Sequence, residues 1–144
     1  MTTLKDFSRL GEQDRGLVVV AVTRADGSVQ ASVVNAGVLG HPDGGEVVGL
    51  IARGDALKLR LLRRRPRATV TVRSGWQWVT VEGKTELAGP DDSHPSFGDI
   101  PALLRDVFTA AGGTHDDWDT YDRVMAEERR TAVLVRPDRI YGVA

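Results

Sequence analysis

Residues 54–72 read GDALKLRLLRRRPRATVTV, and they change period at their only proline, Pro66. Asp55 is placed to cap a helix running to about Arg64, because Arg65 precedes Pro66 and is biased out of the helical region. Beyond the proline, ATVTVR (68–73) alternates apolar and polar residues, as a half-buried strand does. Ser74 and Gly75 then turn the chain, and WQWVTVEGKTEL (76–87) returns as the second arm of a hairpin.

The same reading extends outward in both directions. LVVVAVT (17–23) is a continuous run of strand length, which predicts a strand buried on both sides. ADGS (25–28) is a turn signal leading into the strand-like SVQASVVNAGVL (28–39), and HPDGG (41–45) is a loop before the third strand, EVVGLIAR (46–53). Asp99 before IPALLRDVFTAA (100–111), closed by Gly112 and Gly113, marks one late helix. Residues 118–128, with Asp116, Asp117 and Asp119 at the positive end of the dipole, mark another. TAVLVRP (131–137) and DRIYGVA (138–144) add one or two strands. The fold class is α+β: six antiparallel strands with a short inserted helix and two late helices, in one domain over residues 1–144. A small barrel is the most economical closure, since it removes sheet edges.

Composition narrows the function classes. Cysteine is absent, which excludes disulfides and thiol chemistry, and no apolar run approaches the length of a membrane span. A cytoplasmic location is expected, because no charged-then-apolar leader opens the chain. Residues 58–67 hold six cations and no acid, yet the whole chain sums to −1, so the remainder is acidic. That balance argues against nucleic acid as a partner.

Helical geometry sorts those cations. At about 100° per residue, Leu57, Leu61, Leu62 and Leu59 span one arc with Lys58 inside it, while Arg60, Arg63 and Arg64 fall on the opposite face. A lysine turned inward at a helix start either reaches out to solvent or meets an anion at the free N–H groups. The second option describes a phosphate site made of Lys58, the N–H groups near Asp55 and Ala56, and Arg53. Trp76 and Trp78 alternate with Gln77 and Val79, so both indoles are expected on one side of their strand, walling a ring-binding groove or packing an interface. His41, His94 and His115 share no ligand spacing, and no metal site is expected. Nor does any acid–base constellation stand out, so no catalytic residue is assigned.

Taken together, ADGSVQAS (25–32), GDALKLRLLRRRPRATVTV (54–72), WVTVEGKTELAGP (78–90) and RPDRIYGV (136–143) resemble the pyridoxamine-5′-phosphate-oxidase-like split-barrel oxidoreductases, most of all those that use coenzyme F420. The family pattern Lys-x-x-Asn-Leu-x-x-x-Pro is met at Lys58, Leu62 and Pro66, while Leu61 stands in the place of the asparagine. The resemblance implies a homodimeric split barrel with a cofactor groove at the subunit interface. It implies phosphate binding by Lys58, Arg53 and Arg60, with the ring system along Ser32, Val33, Val34 and Asn35. Hydride transfer between F420 and an unsaturated or quinone-like small molecule is the implied activity. FMN in place of F420, or a non-catalytic flavin or haem binder, are the alternatives. Where a cofactor carries the chemistry, the protein supplies binding and orientation, and a missing acid–base set is compatible with that.

Overall fold

The computed structural model describes residues 1–144. Its order is α1 (Leu4–Gln13), β1 (Leu17–Thr23), β2 (Val29–Gly40), β3 (Glu46–Ala52), α2 (Leu57–Arg64), β4 (Arg67–Ser74), β5 (Gln77–Ala88), α3 (Ile100–Ala110), α4 (Trp118–Glu127) and β6 (Thr131–Val143). The six strands close into an antiparallel barrel in the order β1-β2-β3-β6-β5-β4. The two C-terminal segments read as separate strands are one, β6, which runs straight through Pro137.

That proline sits opposite Gly83, where the β5–β6 register shifts between Glu82 and Gly83. A bulge is where a sheet tolerates a proline. A Cβ on Gly83 would stand 1.7 Å from the Arg136 carbonyl oxygen, so the glycine of the VEG segment is a contact requirement.

Two corrections concern helices and one concerns burial. The N-terminal helix α1 was not expected from the sequence. Its signals are modest: the Asp6 carboxylate accepts from the Thr3 N–H at 2.9 Å, and Phe7, Leu10 and Gly11 share one buried face. α1 carries Phe7 and Leu10 into the barrel core beside Val70, Val72, Val79 and Val81. At α2 the cap residue is Ala56, not Asp55, and no side chain caps the helix. Strand β1 is buried on one side only: Val18, Val20 and Val22 point inward, while Val19 is 44% exposed. Two-sided burial belongs instead to β3 and the first half of β6, which separate the barrel interior from a second core. There Val47 and Leu134 pack against Leu103, Leu104, Val107 and Tyr121 of α3 and α4.

Strand β2 changes partner part-way along its length. Residues 29–35 of β2 pair with β1, and residues 36–40 pair with β3. Ala36 opposite Leu50 is the last β2–β3 pair, so the strands part at Asn35 and Ile51. The loop before α2 begins one residue beyond β3.

Candidate functional site

A cavity of about 220 Å³ lies at this fork. Asn35 and Ile51 come from the diverging strands, Phe108 and Ala111 from the end of α3, Tyr121 and Met125 from α4, and Arg130 from the start of β6. The walls are mostly apolar, with an amide and a guanidinium as the polar groups, the composition of a small-molecule site. Asn35 is anchored by donating from Nδ2 to the Arg15 carbonyl at 2.9 Å. Tyr121 donates to the Leu104 carbonyl at 3.1 Å, and burial pushes its hydroxyl up to about 12, so it is a packing group rather than a neutral-pH acid. A larger recess of about 470 Å³ runs between α1, β2 and the end of α3, but it contains none of the predicted ligand residues.

Beside the cavity, the loop 53–56 is fastened to residues 128–130. The Gly54 N–H donates to the Glu128 carbonyl at 3.1 Å, and a Cβ on Gly54 would stand 2.7 Å from Arg129 Cβ. Glu128 lies between two arginines: Arg130 Nε donates to its Oε1 at 3.0 Å, and Arg53 Nη1 is 3.5 Å from its Oε2. Lys58 is half-buried, and no carboxylate lies within ion-pair distance of it. Burial, followed by the charge of Arg130, holds its ammonium below the ordinary lysine value.

The predicted site residues divide accordingly. Of them Asn35 alone lines the cavity; Arg53 approaches it only through Glu128, the partner of Arg130, and Lys58 follows on α2. Ser32 and Val34 turn into the barrel, whereas Val33 and Asn35 turn outward, because strand side chains alternate. Ser32 Oγ is buried without a partner, as is Gln30 Oε1 on the same inward face. Arg60 is exposed, on the side of α2 away from Lys58. The two indoles do not share a strand face. Gly75 and Trp76 form the two-residue turn between Ser74 and Gln77, with Gly75 at φ 60°, and Trp76 is 96% exposed. Trp78 lies on β5 edge-to-face with Tyr141 at 6.1 Å. Neither indole lines the cavity.

Arg130, Glu128 and the α3–α4 wall escaped sequence reasoning. Their only trace is the local string EERRT (127–131), which looks like an ordinary charged helix end.

The fold also gathers His41 and His94, well apart in the chain, around Glu86. Ligating atoms of the three lie within 4.8 Å of one another. The hydrogen bonds define the rings. Nδ1 of His41 accepts from the Asp43 N–H at 3.1 Å, and Nδ1 of His94 accepts from the Ser96 N–H at 3.0 Å. Their neutral rings therefore carry the proton on Nε2, facing Glu86, where a metal would need a lone pair. His94 Nε2 donates to Glu86 Oε1 at 2.8 Å, and Arg136 Nε donates to Oε2 at 3.1 Å. His41 Nε2 is 3.1 Å from Oε2 but off the hydrogen-bond direction. This is a carboxylate-centred network that ties the 89–99 loop to the β2–β3 turn. Arg63 reinforces the loop through Asp92 at 2.7 Å, so it is more than a solvated surface arginine.

Burial opposes the charge on Glu86, but the His94 hydrogen bond and the positive charge around the carboxylate, Arg136 included, outweigh it, so the carboxyl sits below its ordinary 4.5. A depressed carboxyl contributes stability above its unfolded value and loses it as pH falls through the folded one. Glu86→Gln is expected to lower stability at pH 7 by about 2–3 kcal/mol, the scale of lost charge-assisted hydrogen bonds. Urea midpoints of the variant and the wild type should draw together as the pH falls from 7 and the Glu86 carboxylate takes up its proton. A gap of constant size across the acid range would show that Glu86 acts through shape and not charge.

No family model and no curated protein matches the chain. Solved structures do. The conserved hypothetical protein Rv2991 from Mycobacterium tuberculosis superposes with a TM-score of 0.70 at 19% identity, covering 99% of this chain and 85% of that one. An F420 reductase gives 0.60 at 18% identity, covering 87% and 88%. A pyridoxamine-5′-phosphate-oxidase-related, FMN-binding protein from Nostoc punctiforme gives 0.62 at 12% identity, covering 92% and 76%. The fold is a split β-barrel. At these identities the likeness establishes the architecture of this split barrel and nothing finer.

Proposed function

We propose that this split barrel is an F420-dependent oxidoreductase acting on an unsaturated or quinone-like small molecule. The observation that carries the reading is Lys58, a half-buried cation without an acid partner, on the helix that follows the loop fastened to residues 128–130, where Arg130 lines an apolar cavity. An unpaired, partly buried charge is costly unless an anion completes it. A phosphate joined to a flat ring system fits that arrangement, and a relative in fold is an F420 reductase. When bound, the deazaflavin supplies the hydride chemistry. The chain's own residues bind and orient: Lys58 and Arg53 hold the phosphate end, β2 flanks the ring, and Ile51, Phe108 and Met125 exclude water.

The cavity of about 220 Å³ is small for such a cofactor, and a second copy of the chain is proposed to complete the groove. Val19 and Val33 pair on the outer face of β1 and β2, 44% and 65% exposed. A homodimer would cover that strip and bring Trp76 and Trp78 of each subunit toward the other's groove. No helix is long and apolar enough to cross a membrane, and the proposed setting is the cytoplasm. The basic run is not a nucleic-acid surface in this reading, since Arg63 and Arg67 are engaged by Asp92 and Asp138.

Titration with F420 and with FMN, followed by cofactor fluorescence, tests the assignment. F420 is expected to bind more tightly, and reduced F420 to be reoxidised by at least one member of an enone and quinone panel. Tighter FMN binding would replace the cofactor. F420 binding without reoxidation would leave a carrier rather than an enzyme, and binding of neither would remove the reading. Sedimentation should show a dimer at micromolar concentration.

A further inference from the structure

We propose that Arg130 is a second anion ligand for the cofactor's phosphate, acting with Lys58, and that Glu128 is its positioning residue. The inference rests on the reading of Lys58 as a phosphate ligand, but it assigns a residue from a different part of the chain.

Arg130 stands at the junction of α4 and β6, its N–H bonded to the Met125 carbonyl at 2.9 Å, so its backbone is held by the helix end. Its side chain is 29% exposed. Nε is occupied by Glu128 Oε1 at 3.0 Å, whereas neither terminal nitrogen makes a hydrogen bond. A guanidinium fixed through Nε presents its two Nη groups as a fork, the geometry that matches phosphate oxygens. Glu128 is itself held, facing Arg53 on its other oxygen and accepting from Gly54 through its carbonyl.

The electrostatics point the same way. Burial and, after it, the charge of Arg130 disfavour the Lys58 ammonium, and Glu128 engages only the Nε side of the arginine. A structural salt bridge alone would not need the lysine there. A phosphate anion between Lys58 and Arg130 turns two unfavourable neighbours into a two-point clamp. Arg130 also lines the cavity, so the clamp and the proposed ring site are continuous. By contrast Arg129, its neighbour, is engaged by Asp91 and is not free to take part.

The test compares Arg130→Gln, Arg130→Lys and Glu128→Gln with the wild type, using F420, FMN and inorganic pyrophosphate as probes in calorimetric titrations. Melting temperatures without ligand establish that each variant is folded, and Arg130→Lys, which keeps the charge, serves should Arg130→Gln fail to fold. Arg130→Gln is expected to weaken F420 ten- to a hundredfold. Arg130→Lys should recover part of that loss, and Glu128→Gln should lose less than Arg130→Gln. Pyrophosphate binding should fall in parallel, a readout that a merely structural arginine would not move. Unchanged affinities in a folded Arg130→Gln would overturn the proposal while leaving the cofactor reading intact. Should the wild type bind neither cofactor yet bind pyrophosphate in an Arg130-dependent way, the clamp stands and the cofactor reading falls. Absence of all three interactions in the wild type would remove both.

Discussion

Gly37→Ala is expected to destabilise the protein by about 3 kcal/mol or more, although alanine is the smallest possible addition. A Cβ at this position would stand 2.0 Å from the Ala110 carbonyl oxygen, 2.2 Å from its carbon and 2.6 Å from the Ala111 nitrogen. All three atoms are backbone, so no rotamer change can relieve the contact. Relief requires the end of α3 to lift off β2, carrying Phe108 and Ala111 with it, and those residues wall the cavity. The variant should therefore lose stability and cofactor affinity together. Gly40→Ala is the control, because nothing lies within 4 Å of the added atom on the same strand. Urea unfolding should show a large fall in midpoint for Gly37→Ala at an unchanged slope, and little change for Gly40→Ala. Equal midpoints for the two variants would mean that α3 is not seated on Gly37.

Lys58→Met separates binding from stability in the opposite sense. Methionine retains an apolar stem against the helix surface and removes only the ammonium. Loss of a charge-assisted contact should weaken cofactor binding by about 1.5–3 kcal/mol, roughly ten- to a hundredfold. The apoprotein, however, should be no less stable. Burial and Arg130 lower the ammonium's folded value below its ordinary 10.5. The folded state thus disfavours the proton, a cost present in full at neutral pH and relieved as pH rises from the folded value toward 10.5. Removing the charge removes that cost. Fluorescence titration and apoprotein melting give the two numbers, and a variant that loses stability while keeping affinity would make Lys58 a structural residue.

The corrections share one origin. LVVVAVT reads as a strand buried on both faces, but the fold leaves Val19 and Val33 on its outside, because no helix of this chain covers β1 there. An apolar run cannot say whether its second face meets a helix of its own chain or a second subunit. Similarly, Trp76 and Trp78 satisfy the alternation of a strand, yet a two-residue turn with Gly75 at φ 60° takes Trp76 out of the sheet. Histidines separated by loops look unrelated until β5 and β6 place Glu86 and Arg136 between them.

The chain order of β1 to β5 with α2, α3 and α4, the capping aspartates of α3 and α4, and the inward set of Lys58 were legible from the sequence, whereas α1 and the unbroken course of β6 were not. Each depends on local rules: period two, period 3.6, and side chains that bond their own backbone. The parting of β2 from β3, the cavity at Asn35 and Ile51, and the charge of Arg130 acting on Lys58 were decided only in three dimensions. The cavity joins Asn35 to Arg130, 95 positions later in the chain, and no local periodicity records such a pairing. KLRLLRRRPR accordingly has three fates. Lys58 is half-buried without an acid partner, Arg63 and Arg67 bind aspartates, and Arg60, Arg64 and Arg65 remain in solvent.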